Sequence, residues 1–488
     1  MSRLWLIATI VAASGLAHLK GMSSPMLDYH YHRQCNTAAI ARNYHENGLR
    51  FFAPQIDWEG PYRGRAATEF PLYMWLTGLL WPIAGLGELW GRWLSAIFSA
   101  ATAVYLFLLL ERRLKREEAF CASLIFCAIP LEVYFGRTVQ PEAIALWGAV
   151  AAVYHWERSL EISRPLLHWI AAVLLAFLAI AHKLPYVLIL APLAWLSWER
   201  LNAKSLRDWR TLAAPIMALG MTYAWYRYAS TGMYVVPSHP GEFLVMLNYR
   251  RLPYYLWFNF FSRFPELSVG WAGMPLFLLG AREVLWKRRD RLLAVWLGAA
   301  AVMIAGSGGY SFHHEYTQLP FIPVTAALMG TGFVLLKEKA SNKGFWTKAG
   351  LGLLAFSIPC YTAIRIKHWY KIDNYVFLAN AGKAASAVSG PDDLFIGNER
   401  AGSVFLFYLH RHGWSWDLEE QGPERLNWLD ERIRQGAKFY MTRKTGDFSD
   451  PENVFRRYFY SRYPVVYDAD DILIFSLSSR AGPRARPS

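Results

Sequence analysis

The stretch GRAATEFPLYMWLTGLLWPIAGLGELWGR, residues 64–92, decides how the rest of the chain can be arranged. Its middle is apolar enough to enter a membrane, yet the apolar part begins beside Glu69 and a second apolar run follows almost at once. Whether this stretch crosses the bilayer or stays on one side determines which loops share a compartment. It therefore determines which residues could form one site.

The composition is that of a membrane protein. Hydrophobic residues make up 54% of the chain and charged residues only 18%, against about 25% charge in soluble proteins. Apolar runs recur along the chain at about the length that spans a hydrocarbon core roughly 30 Å thick. The first run, LWLIATIVAASGLAHL, follows one basic residue and lacks a small-residue cleavage site, which favours a retained helix over a removed signal peptide.

The cysteines argue against a protein built on disulfides or a metal site, and the placement of charge argues against a nucleic-acid-binding protein. The four cysteines are scattered (Cys35, Cys121, Cys127 and Cys360) and predict neither a disulfide framework nor a metal site. The net charge of +14 could suggest a nucleic-acid partner. The basic residues, however, concentrate in short loops between apolar runs, so membrane topology explains them better, and we expect no nucleic-acid partner.

The basic loops answer the question raised by residues 64–92. We predict about eleven membrane spans, at about 4–20, 90–110, 119–135, 141–156, 166–181, 184–198, 211–228, 265–281, 292–307, 318–336 and 349–366. The connections richest in Lys and Arg are 111–118, 157–165, 199–210, 282–291 and 337–348. With the N-terminus inside, all five are cytoplasmic only if residues 70–88 do not cross, as the positive-inside rule requires. We therefore predict an interfacial or re-entrant helix at the outer surface.

This topology gives the outer face the long loops and the chain's end. The outer loops are 21–89, 133–143, 181–186, 229–264 and 306–318. After about residue 370, helical patterns alternate with short β-rich runs, which predicts a small α/β domain over 371–480; residues 481–488 read as a disordered basic tail. The predicted fold is a polytopic α-helical membrane domain (1–370), with interfacial helices in the first outer loop (21–89), followed by a small soluble α/β domain outside.

Two acidic residues in the first outer loop are candidates for chemistry. Asp28 follows the first span and precedes an amphipathic pattern, which predicts a surface helix that holds His30 and Arg33 near it. A helix cap is the ordinary role of such an Asp. Glu69 could simply be a first-turn partner of a helix dipole, but an ionisable residue at membrane depth is a functional candidate by default.

Three further outer connections carry ionisable residues. Arg137 and Glu142 bracket the outer ends of two spans, although Glu142 directly follows Pro141, which is an ordinary first-turn position. Lys183 lies between two apolar runs, where a lysine can also extend to lipid headgroups. The last connection carries two adjacent histidines, His313 and His314, whose side chains point in different directions and so are poor metal ligands.

The five connections can converge at one membrane-facing cleft. Carboxylates beside Arg, Lys and His at the lipid–water boundary suit a substrate with an apolar tail and an anionic head. The cations would hold a phosphate, and a carboxylate could deprotonate an incoming hydroxyl.

The chain resembles the GT-C glycosyltransferases that use polyprenyl-phosphate sugars, in the clan of protein O-mannosyltransferases and bacterial aminoarabinose transferases. The stretches that carry the resemblance are YHYHRQCNTAAIARNYHENG next to Asp28, PQIDWEGPYRGRAATEFPLY, WGRWLSAIFSA, YFGRTVQPEAIAL and HHEYTQLPFIPVTAAL. They cover about residues 1–335 in the family's order. The tail resembles, less specifically, the soluble outer domain that many members carry.

The resemblance implies transfer of a sugar from a polyprenyl-monophosphate donor to a hydroxyl of a lipid, glycan or protein. It places the reaction on the outer, periplasmic face of a bacterial-type inner membrane. Asp28 occupies the place of the family's catalytic base, although Tyr29 replaces the second acid that the family often has there. Glu69 matches the acidic residue that helps to shape the site, and Arg137 and Glu142 match the second outer connection. The other implied phosphate or sugar contacts are His30, Arg33, Lys183, His313, His314 and Tyr316.

The resemblance also implies a reaction without a metal or other cofactor. Related oligosaccharyltransferases carry a metal-binding Asp-x-Asp pattern and a Trp-Trp-Asp motif in the tail, whereas residues 413–420 here read GWSWDLEE. The chain is therefore placed in the metal-independent branch. One direct displacement at the anomeric carbon predicts inversion of configuration.

Two other functions compete with this one. A transporter or flippase of lipid-linked saccharides would need ionisable residues deep in several spans and paired halves, but the charges here lie at the outer ends and no two-fold repeat is visible. A polymerase or ligase of lipid-linked glycans would also act outside. Its donor would be a diphosphate-linked oligosaccharide rather than a monophosphate-linked sugar.

Overall fold

The computed structural model describes residues 2–161, 165–231, 234–235, 248–399, 404–415, 425–445 and 454–478. Up to residue 370 the described chain is almost entirely helical. The α-helices of this part are Arg3–His18, Tyr31–Glu46, Leu72–Leu80, Leu89–Leu110, Arg116–Phe126, Pro130–Phe135, Glu142–Ser159, Pro165–His182, Leu190–Leu201, Trp209–Ser230, Leu252–Trp257, Met274–Ala281, Arg291–Gly306, Gly308–His313, Ile322–Ala340 and Phe345–Arg365.

Tighter or wider helical turns extend several of these helices. The 3₁₀ segments are Ile83–Gly85, Leu184–Ile189, Asn202–Leu206, Tyr249–Arg251, Trp271–Gly273, Glu315–Phe321, Lys367–Tyr370 and Asp373–Asn380. The π-helical segments are Phe258–Val269 and Arg282–Lys287. Two very short strands, β1 (Ala66–Ala67) and β2 (Tyr234–Val235), pair in parallel beside the helices.

Small residues allow the apolar helices to approach closely. A Cβ atom added at Gly280 would overlap the carbonyl oxygen of Leu328, and one at Gly332 would overlap that of Leu276. Helices Met274–Ala281 and Ile322–Ala340 therefore touch backbone to backbone, which is how helices pack where lipid removes the hydrophobic driving force.

Several of the predicted spans are broken into shorter helices. By length and composition alone, two described helices could cross a membrane, Leu89–Leu110 and Glu315–Ala340, and the bent pair Phe345–Arg365 with Lys367–Val388 could form a third. Predicted span 119–135 is split between Arg116–Phe126 and Pro130–Phe135, because the ring of Pro130 cannot occupy a helix interior without loss of a hydrogen bond.

The stretch at 64–92 forms two separate helices. Leu72–Leu80 has nine residues, or about 14 Å of helix, which is roughly half of the hydrocarbon thickness. The chain then turns through Ile83–Gly85 and begins Leu89–Leu110, which has 22 residues. The length of Leu72–Leu80 agrees with a segment that does not cross; the side on which it lies stays a prediction.

The helix after Asp28 is not on the surface as predicted. Helix Tyr31–Glu46 buries most of its residues, among them Ala38, Ala39 and Ala41. It packs against Leu72–Leu80 on one side and against Val404–Leu409 of the tail on the other. The small side chains that weaken its amphipathic pattern allow two neighbours to approach, so the helix becomes part of a core.

The tail is the α/β domain that the sequence predicts. Its strands are β3 (Leu394–Gly397), β4 (Gly413–Ser415), β5 (Ala437–Arg443), β6 (Val465–Ala469) and β7 (Ile472–Ser476). They form one sheet in the order β4-β3-β5-β7-β6. Strands β4, β3 and β5 are parallel to one another, and β7 pairs antiparallel with both of its neighbours, β5 and β6. The helices of the tail are Ala381–Val388, Val404–Leu409, Arg425–Arg434 and Val454–Arg462.

Strand β4 begins soon after the tail helix Val404–Leu409. The chain turns between them, where His410 takes a positive φ of 55°. Gly413 then lies so close to Phe395 that a Cβ atom would overlap the Phe395 carbonyl, which gives that glycine a role in strand pairing. The predicted disordered tail, 481–488, lies outside the described residues, as does much of the predicted outer loop 229–264.

Candidate active site

Asp28 is held by four hydrogen bonds from three side chains. Its Oδ1 accepts from Gln34 Nε2 at 2.6 Å and from Arg92 Nη2 at 3.3 Å. Its Oδ2 accepts from Arg137 Nη2 at 2.6 Å and from Arg92 Nη1 at 3.3 Å. A carboxylate offers about four lone-pair positions, so these donors use all of them, and the two from Arg92 are the longest.

Three different elements bring these donors to Asp28. Gln34 lies in the first turn of Tyr31–Glu46, and Arg92 lies near the start of Leu89–Leu110. Arg137 follows Pro130–Phe135 and also donates from Nη1 to the carbonyl of Gly21 at 3.1 Å. Burial raises the pKa of Asp28, while the charge and hydrogen bond of Arg137 and the hydrogen bond from Gln34 act to lower it.

A second group of charges surrounds Lys183. The Lys183 Nζ atom lies 2.7 Å from Glu142 Oε1 and 3.5 Å from Glu69 Oε1, and Glu69 also pairs with Arg33. The short turn between Pro165–His182 and Leu184–Ile189 places this lysine, while both glutamates stand at or just before helix starts. Burial lowers the pKa of Lys183, the nearby Arg33 charge lowers it further, and Glu142 opposes both.

A third group surrounds Glu315. Its carboxylate lies 3.1 Å from His30 Nε2 and 3.4 Å from Arg263 Nη2. The Arg263 side chain also donates to the carbonyl oxygens of Ser311 and Phe312, which fixes it against the end of helix Gly308–His313. The next residue along the chain, Tyr316, joins this group to the second one, since Lys183 Nζ lies 5.2 Å from the Tyr316 ring centre. We call the second and third groups together the Lys183 cluster.

His314 enters the Lys183 cluster as a neutral ring. Its imidazole lies 6.2 Å from that of His30 and 5.2 Å from the ring of Tyr316, measured between ring centres. Burial, with the charges of His30 and Lys183, lowers the pKa of His314 to about 3. His314 can therefore donate or accept a hydrogen bond at neutral pH but adds no positive charge.

A group of aromatic rings packs beside His30 of the Lys183 cluster. Tyr29 stacks on Trp369 with ring centres 5.0 Å apart and meets His30 at 4.4 Å. Phe135 contacts Tyr134 at 5.3 Å and Trp369 at 5.8 Å. We call Tyr29, Tyr134, Phe135 and Trp369 the aromatic wall. Asp28, which is only 1% exposed, also lines a cavity of about 360 Å³.

Nine of the ten residues predicted for the site fall into two groups. Asp28 and Arg137 form one pair, and the Lys183 cluster contains His30, Arg33, Glu69, Glu142, Lys183, His314 and Tyr316. Asp28 is held by Arg92 and Arg137. Its neighbours in the sequence pair elsewhere, His30 with Glu315 and Arg33 with Glu69. His313 is exposed, with its ring against Phe312, so the structure does not place it with the others.

Four contributors are absent from the predicted set: Gln34, Arg92, Arg263 and Glu315. Arg92 and Arg263 each stand at the edge of an apolar run, and there an arginine is as typical of a headgroup anchor as of a site. The same argument that selects Glu69, an ionisable side chain at membrane depth, would have selected both.

The fold and part of the sequence match known proteins. The sequence model of the dolichyl-phosphate-mannose-protein mannosyltransferase family matches residues 67–226, about a third of the chain. No curated protein sequence matches the chain. The structure is similar to ArnT from Cupriavidus metallidurans bound to undecaprenyl phosphate, with 14% identity, a TM-score of 0.64, and 99% of this chain and 100% of that chain covered.

Archaeal oligosaccharyltransferases share the fold as well. The enzyme from Archaeoglobus fulgidus tethered to an acceptor peptide aligns with a TM-score of 0.61 at 12% identity, over 91% of this chain and 69% of that one. AglB, an oligosaccharyltransferase from Archaeoglobus fulgidus in complex with an inhibitory peptide and a dolichol-phosphate, aligns with a TM-score of 0.58 at 11% identity, over 90% of this chain and 69% of that one. The chain is thus a membrane protein with the GT-C fold of the protein O-mannosyltransferase and ArnT-like group.

Proposed function

We propose that the protein is a membrane glycosyltransferase that moves a sugar from a polyprenyl-monophosphate donor to an acceptor hydroxyl. The observation that carries the proposal is the set of buried charges near the ends of apolar helices, where Arg137 holds Asp28 and Lys183 pairs with Glu142. The fold supports it, because similar structures hold undecaprenyl phosphate in ArnT and a dolichol-phosphate in AglB. We further propose that the site faces the periplasm of a bacterial-type inner membrane, as the basic loops predict.

The proposed reaction is a single displacement at the anomeric carbon of the donor sugar. The acceptor oxygen forms a bond to that carbon while the bond from the carbon to the phosphate oxygen breaks. The acceptor proton passes to Asp28, and the electron pair of the broken bond leaves with the polyprenyl phosphate. Attack opposite to the leaving group inverts the configuration.

The leaving phosphate is stabilised by cations of the Lys183 cluster. Arg33, Lys183 and Arg263 now bind the carboxylates of Glu69, Glu142 and Glu315, and a phosphate that enters the cluster takes over part of their donors. Charge that develops on the phosphate oxygen is then offset by prearranged cations in a site of low water content. For this reason we propose a reaction that needs no metal.

Asp28 is the base in this proposal because an acceptor hydroxyl can replace one of its two longest hydrogen bonds. The two donors from Arg92 stand 3.3 Å away, so an acceptor hydroxyl that enters the adjoining cavity can replace one of them at small cost. Glu69 orients the cations rather than the acceptor, since both Arg33 and Lys183 contact its Oε1 atom.

The test is the turnover of purified Asp28→Asn and Glu69→Gln variants with a polyprenyl-phosphate sugar. Loss of a general base lowers a rate by about 10²–10⁴-fold, so we expect Asp28→Asn to lose at least 100-fold in kcat while it still binds undecaprenyl phosphate. Glu69→Gln is expected to change the donor KM more than kcat. Turnover of Asp28→Asn within tenfold of the unmodified protein would exclude Asp28 as the base.

Two further arms of the assay test the rest of the proposal. Turnover in excess EDTA should equal turnover without it; loss of activity that added metal restores would contradict a metal-independent reaction. A donor with a diphosphate-linked oligosaccharide should not react. Preferential use of that donor would instead identify a ligase or polymerase.

A further inference from the structure

A further cavity lies at the opposite end of a helix that holds Asp28. It has a volume of about 420 Å³, within the usual range of about 300–1,000 Å³ for small-molecule sites. In helix Leu89–Leu110, Arg92 binds Asp28 near one end, whereas Leu108 lines this cavity near the other. About 24 Å of helix separates Arg92 from Leu108, so the cavity is not part of the candidate active site.

Four arginines from four segments of the chain line this cavity, which we call the arginine pocket. They are Arg3, Arg112, Arg116 and Arg158. Arg3 and Arg116 begin their helices, Arg112 follows the end of Leu89–Leu110, and Arg158 lies in the last turn of Glu142–Ser159. The four guanidiniums converge on a space that is large enough for a phosphate and the groups attached to it.

Carboxylates hold these guanidiniums in place without using all of their donors. Glu111 lies 2.9 Å from Arg3 Nη2 and 2.6 Å from Arg116 Nε. Glu161 lies 3.2 Å from Arg158 Nη1. Because a guanidinium has five N–H donors in a fixed fork, these arginines keep donors for a further anion.

The arginine pocket also has a surplus of positive charge. Arg112 binds a third carboxylate, that of Glu157, at 3.1 Å and pairs with Glu161 as well. Glu157 is shared with two arginines that do not line the pocket, Arg113 at 3.4 Å and Arg200 at 3.5 Å. Within the described part of the chain, the four arginines thus pair with three carboxylates, one of which also serves other cations. A phosphate would offset the surplus, since arginine forks bind phosphate through two parallel hydrogen bonds.

Apolar side chains on one side of the arginine pocket favour a lipid over a soluble phosphate. Leu108 and Tyr154 line the pocket one helical turn closer to the middle of their helices than the arginines do. Beside Arg3, the side chains of Leu4 and Trp5 are 79% and 69% exposed. In a membrane protein such an exposed apolar surface faces the bilayer, so a lipid can reach the pocket from the side.

We propose that the arginine pocket binds a phosphate group, and that the bilayer supplies this group as the headgroup of an anionic phospholipid. The phosphate contacts the guanidiniums of Arg3 and Arg116, and the acyl chains leave the pocket past Leu108. The basic connections 111–118 and 157–165, which we predict to be cytoplasmic, adjoin the pocket, and the cytoplasmic leaflet is where anionic lipids give a negative surface potential.

The bound lipid joins helices that also build the candidate active site. Leu89–Leu110 carries Arg92, and Glu142–Ser159 carries Glu142 of the Lys183 cluster, each near the end opposite to the pocket. A ligand that binds only the folded protein stabilises it by mass action, so an occupied pocket stabilises the scaffold of that site. The proposal does not depend on the reaction that the site performs.

Native mass spectrometry of the purified full-length protein tests the pocket, with phosphatidylglycerol as the probe and phosphatidylcholine as the reference lipid. A hydrogen bond to a charged group changes an affinity by about tenfold or more. We therefore expect Arg3→Gln and Arg116→Gln each to weaken binding of phosphatidylglycerol about tenfold and to leave binding of phosphatidylcholine unchanged. Each variant leaves Glu111 paired with the other arginine, so the fold is kept.

Arg200→Gln is the matched control for these variants. Its side chain is 49% exposed, against 51% for Arg3 and 58% for Arg116, and it pairs with Glu157 but does not line the pocket. Arg200→Gln should bind phosphatidylglycerol as the unmodified protein does. An equal loss in all three variants, or no loss in any of them, would overturn the proposal, and so would equal binding of the two lipids by the unmodified protein.

Two further arms distinguish the source of the phosphate and the site that binds it. Glycerophosphoglycerol has the same headgroup without acyl chains, so an equal concentration of it should displace little phosphatidylglycerol. Displacement as effective as that by a second phosphatidylglycerol would overturn the assignment to a lipid in favour of a soluble phosphate. Lys183→Met should bind phosphatidylglycerol normally, and a loss there equal to that of Arg116→Gln would place the lipid in the Lys183 cluster instead. Since no sugar is transferred, these results can succeed or fail independently of the proposed reaction.

Discussion

Lys183 offsets the negative charges of two neighbouring carboxylates. It lies between Glu69 and Glu142, and its side chain is only 11% exposed. Removal of one partner of a buried ion pair costs about 3–5 kcal/mol, mainly because the other charge is left uncompensated. Lys183→Met should therefore lower the thermal midpoint clearly and also weaken binding of undecaprenyl phosphate at least tenfold.

A double variant separates the two effects of Lys183. Lys183→Met with Glu142→Gln removes the uncompensated carboxylate, so most of the lost stability should return. Binding of undecaprenyl phosphate should stay weak, because the cation is still missing. Thermal unfolding and lipid binding measured on the same samples check this, and recovery of both together would assign Lys183 a purely structural role.

The sequence identifies charged residues at this scale better than it identifies their partners. Glu69 and Lys183 stand out because an ionisable side chain beside an apolar run is rare. The pairing of His30 with Glu315, however, joins residues 285 positions apart, and no local pattern encodes it. Nor can the sequence show which of His313 and His314 turns inward, since adjacent residues on a helical turn point in different directions.

At the scale of elements, one glycine sets the distance between the two helices of the first outer loop. A Cβ atom at Gly78 would lie 2.6 Å from the carbonyl oxygen of Ala41 and 2.8 Å from Tyr44 Cβ. Gly78→Ala should push Leu72–Leu80 away from Tyr31–Glu46, at the typical overpacking cost of about 1–3 kcal/mol. The shift also separates Glu69 from Arg33, so we expect the donor KM to rise although no site residue is changed.

Gly220 is the matched control for this variant. It lies inside helix Trp209–Ser230 with open space where a Cβ atom would be, and alanine is the better helix former by up to about 1 kcal/mol. Gly220→Ala should therefore leave the donor KM unchanged and the thermal midpoint equal or higher. Equal thermal midpoints and donor KM values for the two variants would show that the approach at Gly78 is not tight.

A buried glutamate makes the tail sheet sensitive to pH. Glu399 follows β3, and its carboxyl accepts from the backbone N–H of Phe405 and from the Ser415 hydroxyl, both at 3.0 Å. Burial outweighs these bonds and raises the pKa of Glu399 from 4.5 to about 8. The folded state then holds a proton that the unfolded state loses above about pH 4.5. Stability is highest below that pH and falls by roughly 1.4 kcal/mol per pH unit up to about pH 8.

Glu399→Gln should remove this dependence, because the amide keeps the shape and never ionises. The thermal midpoint measured from pH 5 to pH 9 is expected to fall for the unmodified protein and to change much less for Glu399→Gln. Asp430→Asn, at an exposed carboxylate of helix Arg425–Arg434, is the control that should keep the original slope. A Glu399→Gln profile parallel to that of the unmodified protein would assign the dependence to other groups.

Elements are predictable where local pattern and tertiary contacts agree. The helix–strand alternation of the tail can be predicted from its short β-rich runs, among them those that form β5 and β7. The burial of helix Tyr31–Glu46 cannot, because part of it comes from Val404–Leu409, more than 350 residues further along the chain. Tertiary context of this kind overrides local amphipathicity.

For the whole molecule, the join between the first outer loop and the tail supports the segment that carries Asp28. Tyr408 of the tail accepts a hydrogen bond at its hydroxyl from the backbone N–H of Met26, at 2.8 Å. The thiol of Cys35 donates to the carbonyl oxygen of Met26, at 3.3 Å. The tail is therefore part of the scaffold of the site rather than an appendage, and the contacts that hold it in place affect the position of Asp28.

The centre of this join is the pair of Asp57 and Arg42. Arg42 donates from Nη2 to Asp57 at 2.6 Å and from Nη1 to the Phe407 carbonyl at 2.8 Å. The backbone carbonyl of Asp57 accepts from Gly413 N–H at 2.9 Å, which extends the edge of the tail sheet into the loop. Both side chains are buried, so the bond is neither screened by salt nor replaced by water.

Asp57→Ala should loosen the tail, because it leaves the buried guanidinium of Arg42 without its counter-charge, at about 3–5 kcal/mol. We expect trypsin to cleave the folded variant in the tail at least tenfold faster, with kcat reduced severalfold as Met26 and Asp28 lose support. Arg63→Ala is the control: Arg63 and Asp392 also join loop to tail, but at the surface, where a pair contributes about 0–1 kcal/mol. Equal protease resistance and equal kcat for Asp57→Ala and Arg63→Ala would mean that the tail does not support the site.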